Sequence, residues 1–274
     1  MEKAIAVRDG TNISGKRTFD GTLKVLAVGN SFSVDAMTYL YGIAKAFGVK
    51  SITLGNLYIG GCSINRHLMN SETGEAAYNY YKNTSGDWTE RPASIGDGIA
   101  DEDWDIITMQ QCSGRSGAPE SYGSDFTALT DYICAARTKK DGLLAWHMTW
   151  AYANDSTHPS FPDYSSDQMS MYNAICGAVR TEVLTARRHD ILIPSGTLIQ
   201  NLRSTFIGDN LNRDGFHLNA LGKFAVGHIW LSALTGIEID RIPYRPSDIG
   251  LTPEIARAII KAVKQTVRSP LSVN

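Results

Sequence analysis

A chain of 274 residues that is 43% hydrophobic and 20% charged can fill a core without disulfide or metal staples, which excludes disorder as its main state. The 26 Lys and Arg residues face 28 Asp and Glu residues, a net charge of −2, so no basic surplus points to a nucleic-acid partner. No run of 18 apolar residues offers a membrane span, and MEKAIAVRDGTNISGKRTFDG at the start lacks the apolar stretch of a secretory leader. The compartment stays open between the cytoplasm and a secreted form whose leader has been removed.

Residues 1–21 are polar and rich in Gly and Thr, and read as an extended N-terminal arm; residues 22–274 read as a single domain. Apolar run 23–28 (LKVLAV) is a strand ending at Gly29. Helical spacing covers 36–48 and stops at Gly48. A second strand spans 51–59 and ends in Gly60-Gly61. Residues 62–94 are polar and aromatic and read as an insertion of loops and short helices. A third strand covers 104–110, an amphipathic helix 124–140, and a fourth strand 142–148. A Pro/Asp/Ser loop then leads to a long helix over 166–188 and a short fifth strand over 190–194. A helix over 218–236 closes at Gly236. Thr252-Pro253-Glu254 starts the last helix, with a hydroxyl cap, a first-turn proline and an acid near the positive helix end. Strands alternating with helices of this length predict an α/β fold, a five-stranded, mainly parallel sheet between two helix layers. Sites in such sheets gather at the carboxyl ends of the strands. The four cysteines, Cys62, Cys112, Cys134 and Cys176, stand far apart with no C-x-x-C or Cys/His cluster. They are expected as free, partly buried thiols, with a disulfide between two of them left open by the spacing, and no zinc site is supported.

After the first strand comes Gly29-Asn30-Ser31-Phe32-Ser33. A serine past a buried strand and before a helix can present its hydroxyl at the sheet edge, where the helix N-terminus favours negative charge. Taken alone, Ser31 or Ser33 is equally an ordinary helix cap. Near the far end stands Asp214-Gly215-Phe216-His217. With that spacing the carboxylate can hold the imidazole Nδ1–H and leave Nε2 free to take a serine proton. Of the other histidines, His189 and His228 are expected to be structural.

The two blocks together resemble the SGNH (GDSL-type) hydrolases, over roughly residues 23–236. Gly29-Asn30-Ser31 stands for the family's Gly-Asp-Ser, with a second hydroxyl at Ser33. Gly60 or Gly61 stands for the glycine after the second strand, and Asp214 with His217 for the terminal D-x-x-H. The form GNSFS, with IGGCSI, MQQCS, WHMTWAY and DGFHL, is similar to an uncharacterised branch common in gut bacteria. One block departs. The family's Gly-x-Asn-Asp after the third strand is replaced by Met109-Gln110-Gln111-Cys112-Ser113, so the Asn that donates to the oxyanion is missing. A Gln amide can donate the same bond; Gln110, nearest the strand end, is preferred over Gln111. Asn30 in place of Asp is expected to brace its loop.

The resemblance implies a flavodoxin-like three-layer fold and carboxylic-ester hydrolysis, with Ser31 as nucleophile, His217 as acid–base and Asp214 as its orienting carboxylate. The N–H groups of Ser31 and Gly61, with Gln110, are expected to hold the oxyanion. Trp150 and Tyr152, past the fourth strand, are expected as a substrate wall, with His147 and Gln111 as further substrate contacts; Tyr58, Tyr78 and Tyr81 are candidates to line the cleft. No metal or organic cofactor is implied. The expected partner is a small-molecule or oligosaccharide ester, an O-acetylated carbohydrate by preference. An acyltransferase on the same triad and a degenerate glycan-binding module are the rival readings.

Overall fold

The computed structural model describes residues 3–8 and 11–273, with side chains from Phe19 to Val273. Strands β1 (Lys3–Arg8) and β2 (Thr11–Thr18) pair antiparallel as a separate two-stranded sheet, so the expected arm is a hairpin.

The central sheet is built on β3 (Thr22–Gly29), β4 (Ser51–Tyr58), β7 (Ile106–Met109), β8 (Leu143–His147) and β9 (Ile191–Ile193), all parallel. These are the five predicted strands within a few residues. In β3, Val25, Leu26, Ala27 and Val28 are all buried, as expected of a parallel strand covered on both faces.

The sheet has seven strands rather than five. Within the region read as loops and short helices, β5 (Tyr78–Asn83) and β6 (Trp88–Ala93) form an antiparallel hairpin that adds to β4, giving the order β6-β5-β4-β3-β7-β8-β9. The reason is compositional. YNYYKN and WTERPA carry the Lys, Glu, Asn and Pro that protect a sheet edge, and such residues mask a strand in an apolarity reading.

Helix α1 (Ser31–Met37) follows β3, and α2 (Leu40–Ala46) follows it after a break. One helix was expected over 36–48. The Thr38 hydroxyl bonds back to the Val34 carbonyl and the chain turns at Tyr39. The inserted region also holds α3 (Ile64–Thr73), and α4 (Ile95–Ala100) and α5 (Gly123–Ala136) lie beyond it. Helix α6 (Gln168–Ala178) continues into a π-helical turn over 179–184. Helix α7 (Ser195–Arg203) was not anticipated, because SGTLIQNLR is weak in helix formers; it is buried along its whole length. Helices α8 (Ala220–Thr235) and α9 (Pro253–Arg268) match their expected positions, closed by Gly236 and capped by Thr252. Adjacent β4 residues show the two layers: Asn56 meets Ser33 of α1, while Leu57 meets Gly98 of α4 on the opposite face. Among the described residues no helix is long and apolar enough to cross a membrane. All four cysteines are free, and burial pushes the Cys62 thiol up to about 12.

The register sets the position of the site. Gly29 lies opposite Tyr58 of β4, and Val28 opposite Met109 of β7, so the three strands end at one edge. Strand β3 is flanked by one strand that follows it directly and one that comes much later, and a crevice opens where such connections diverge.

Candidate active site

Ser31 begins α1 at the end of β3. The turn that places it depends on Gly29: a Cβ there would lie 2.3 Å from Ser33 Oγ. Asn30 caps the helix, its Oδ1 accepting from Phe32 N–H at 3.0 Å. Ser33 faces inward and is buried, its Oγ 2.7 Å from the Asn30 carbonyl and 3.0 Å from Asn56 Oδ1. Ser31 instead stays partly open to solvent. Of the two serines, only Ser31 faces a base.

That base arrives on the loop before α8. His217 Nε2 is 2.8 Å from Ser31 Oγ, and His217 Nδ1 is 2.7 Å from Asp214 Oδ2. Asp214 Oδ1 accepts from the backbone N–H of His217 at 2.7 Å and of Phe216 at 3.2 Å. Burial alone would push the Asp214 carboxyl up. The His217 ring and the two backbone N–H groups outweigh it and hold this group below the ordinary carboxylate range, ionised at neutral pH. The carboxylate therefore fixes the imidazole with Nδ1–H toward itself and Nε2 toward the serine. The structure brings together all three residues that the sequence had placed 186 positions apart.

A residue that sequence reading missed joins the two ends. Asp35, on α1 and four residues past Ser31, is a buried carboxylate. Its Oδ1 is 3.0 Å from Arg213 Nη1 and 3.2 Å from Lys223 Nζ, and its Oδ2 accepts from Leu218 N–H at 2.8 Å. The loop from Arg213 to Leu218, which carries Asp214 and His217, is thus clamped to the helix that carries Ser31. The only hint in the sequence was an acid on the buried side of an otherwise apolar helix.

The two backbone N–H groups expected to hold the oxyanion are those of Ser31 and Gly61. Gly61 has φ +60°, open to glycine at little cost, and a Cβ added there would meet only open space. Neither N–H is taken by a hydrogen bond among the described residues. Gln110, expected as the third donor, is placed otherwise. It is buried, its Nε2 donates to Asn30 Oδ1 at 2.6 Å and its Oε1 accepts from His147 Nδ1 at 2.6 Å. A Gln side chain is one methylene longer than Asn, and this length lets the amide reach Asn30 and His147 together. Gln111 is buried too, accepting from Ile64 N–H and Cys112 N–H and donating to Ser121.

The other expected substrate contacts are also buried. His147 lies between Gln110 and Ser195 Oγ, 2.9 Å away, and burial pushes its pKa down to about 3, so it is neutral. Trp150 stacks on Phe32 at 4.2 Å and donates its indole N–H to the Phe216 carbonyl at 2.8 Å. Tyr152 packs against Phe161 and Phe216 and reaches Ser113 Oγ at 2.9 Å. The segment after β8 folds back under the His217 loop, so these aromatics form the floor of the site instead of its wall. Tyr78 is buried against His67, whereas Tyr58 and Tyr81 are half-buried. What flanks His217 is Phe216, with ring centroids 4.1 Å apart, and beyond it His158 at 4.8 Å from Phe216; both stay partly open. His158 Nδ1 accepts from Ser160 N–H at 3.1 Å, which leaves Nε2–H as the donor of the neutral ring. Burial, then the neighbouring His217, lower its pKa against the opposing pull of Asp214. His228 is buried, and His189 is half-buried with both ring nitrogens enclosed, as expected of structural residues.

A five-stranded parallel core in this order, with a serine after its first strand and an Asp/His pair before the last sheet-covering helix, is the SGNH hydrolase fold. An SGNH hydrolase proposed from Slackia heliotrinireducens superposes with a TM-score of 0.50 at 17% identity, over 77% of this chain and 98% of that one. A variant of Axe2, an acetyl-xylooligosaccharide esterase from Geobacillus, superposes with a TM-score of 0.54 at 11% identity, over 84% and 99%. The chain belongs to the family described as Domain of unknown function (DUF4886), whose profile matches residues 24–262. A DUF4886 family protein from Bacteroides uniformis ATCC 8492 is 39% identical, with a TM-score of 0.87 over 92% of this chain and 97% of that one. No curated protein matches the chain.

Proposed function

We propose that this protein hydrolyses carboxylic esters through a Ser31-His217-Asp214 triad. The observation that carries this reading is the unbroken line Ser31 Oγ–His217 Nε2 and His217 Nδ1–Asp214 Oδ2, at 2.8 and 2.7 Å. Ser31 Oγ attacks the acyl carbon as His217 Nε2 takes its proton. The negative charge on the former carbonyl oxygen is held by the N–H groups of Ser31 and Gly61. His217 then protonates the leaving alcohol, and the ester bond to it breaks. Water, deprotonated by the same nitrogen, releases the acid from Ser31. Asp214 keeps the ring in the productive tautomer and stabilises the imidazolium.

Two backbone donors without a side-chain third imply a slower enzyme than a three-donor site, since one such donor typically contributes ~10²–10³ in rate. Preference for an O-acetylated carbohydrate rested on an aromatic wall at Trp150 and Tyr152. With both beneath the site, the remaining support for it is the likeness of fold to an esterase of acetylated oligosaccharides.

Hydrolysis of 4-nitrophenyl acetate, with labelling by a serine-directed phosphonate, tests the reading. Ser31→Ala is expected to abolish both, and Asp214→Asn to lower kcat by up to ~10⁴-fold through the wrong imidazole tautomer. Full activity in Ser31→Ala would remove the triad.

A further inference from the structure

We infer that the esters this site acts on carry a medium-length, unbranched acyl chain, held in a groove between α1 and the β5–β6 hairpin; the inference rests on the hydrolase reading above. A cavity of about 350 Å³ is lined there by Val34, Met37, Thr38, Asn56, Tyr81 and Trp88. Val34 and Thr38 stand three and seven residues after Ser31, on the helix face that Ser31 begins. At the upper end, the Tyr58 ring lies 5.8 Å from Tyr81, and its hydroxyl is 3.4 Å from where a Cβ on Gly60 would sit. The groove therefore begins beside Tyr58 and, at Val34, one helical turn from Ser31, within reach of an acyl chain esterified there. From there it descends along the sheet face.

The lining decides what fits. The Thr38 hydroxyl bonds the Val34 carbonyl and Asn56 Oδ1 accepts from Ser33 Oγ, which leaves the Asn56 amide N–H₂, the Tyr81 hydroxyl and the Trp88 indole N–H as the polar groups of an otherwise apolar lining. Three such groups cannot pair every hydroxyl of a sugar ring, and each hydroxyl buried without a partner opposes binding. An alkyl chain needs none. The volume is at the small end of ligand pockets, and the seven residues from Ser31 to Thr38 span about 10 Å of helix. That is the reach of roughly six to eight carbons in an extended chain. The outer wall is made by the half-buried Tyr81 and Trp88 of the hairpin, so the two strands absent from the five-stranded core are what turn a bare helix flank into a binding site.

A series of 4-nitrophenyl esters from acetate to decanoate tests this. Each methylene that enters the groove should raise kcat/KM by about two- to fourfold. The profile should climb roughly 15- to 250-fold from acetate to hexanoate, then flatten or fall beyond octanoate. Val34→Trp, which fills the groove, should lower the hexanoate-to-acetate ratio of kcat/KM at least tenfold. A profile that is highest at acetate, in a protein whose acetate turnover is lost in Ser31→Ala, overturns the groove and leaves the hydrolase reading standing. Binding gives a readout independent of turnover. In Ser31→Ala, octanoate but not acetate should perturb tryptophan fluorescence, and Trp88→Phe should remove that change; no response to octanoate overturns the proposal whether or not any ester is cleaved.

Discussion

Asp35→Asn separates the clamp from the chemistry it serves. The carboxylate accepts from a backbone N–H at 2.8 Å and from two cations at 3.0 and 3.2 Å. The amide that replaces it has one oxygen. Either Leu218 N–H or the Arg213–Lys223 pair must then face an N–H₂ group. Removing one partner of a fully buried charge pair costs ~3–5 kcal/mol. Here the Arg213 and Lys223 side chains are 42% and 23% exposed and keep part of their hydration. The loss should therefore approach that of one charged hydrogen bond, ~2 kcal/mol. In a chain of this size that lowers Tm by roughly 4–8 °C. The larger effect is expected in kcat. The clamped loop carries both Asp214 and His217, and a displacement of ~1 Å between base and nucleophile costs ~10²-fold. Steady-state hydrolysis of a short aryl ester at 25 °C, well below the melting range, should show kcat down about 100-fold with KM within a factor of three. Lys223→Met provides the contrast: Arg213 and Leu218 still hold the carboxylate, so kcat should change less than threefold. If Asp35→Asn melts early but turns over like the parent chain, Asp35 supports the fold without positioning His217, and the clamp is refuted.

Two further outcomes follow from buried polar groups. Gln110→Ala removes the acceptor of His147 Nδ1–H and one donor to Asn30, so it should lower stability by ~1–3 kcal/mol together with kcat; a 10²-fold fall in kcat at unchanged Tm would return Gln110 to the oxyanion hole. The ring nitrogens of His67, His147, His189 and His228 are buried, and burial first of all pushes them to about 3, 3, 3 and 4 from the ordinary 6.5. The unfolded chain then binds more protons below pH 6.5, so this stabilisation is complete above that pH and is lost as pH falls toward the folded values. Between pH 7 and 5 each should cost about 2 kcal/mol, and urea melts should show midpoints dropping steeply over that interval; equal midpoints at pH 5 and 7 would show that the four rings are not held neutral.

Ser31, Asp214 and His217 were legible because each is announced by its neighbours: a glycine at a strand end, a helix start, a D-x-x-H spacing. The five core strands were legible for a similar reason, as short apolar runs that stop at turns. What failed was direction. A sequence places Gln110 at the end of β7 but cannot say that its amide is spent on Asn30, a partner 80 residues away. It places Trp150 and Tyr152 past β8 but cannot say that the chain there turns beneath the His217 loop. Asp35 was hidden for the opposite reason: its partners lie 178 and 183 positions downstream, so nothing local marks it.

The two departures from the family pattern, Asn30 for Asp and Gln110 for Asn, make sense as a pair. Asn30 Nδ2 donates to the Cys62 carbonyl at 3.1 Å while its Oδ1 accepts from Phe32 N–H and Gln110 Nε2. Gln110 in turn accepts from His147, whose Nε2 accepts from the Ser195 hydroxyl. Every bond in this buried string runs one way, from Ser195 through His147, Gln110 and Asn30 to Cys62. An aspartate at position 30 has no donor for the Cys62 carbonyl, and its charge would sit unpaired beside neutral amides and a neutral imidazole. An asparagine at 110 is too short to bridge Asn30 and His147 together. The string joins the turns after β3, β4 and β7 to the last residue of β8 and the first residue of α7. In this chain the side chain after β7 therefore holds the Asn30 turn and the Cys62 corner in register, which in the proposed mechanism leaves the oxyanion to the backbone of those same two turns.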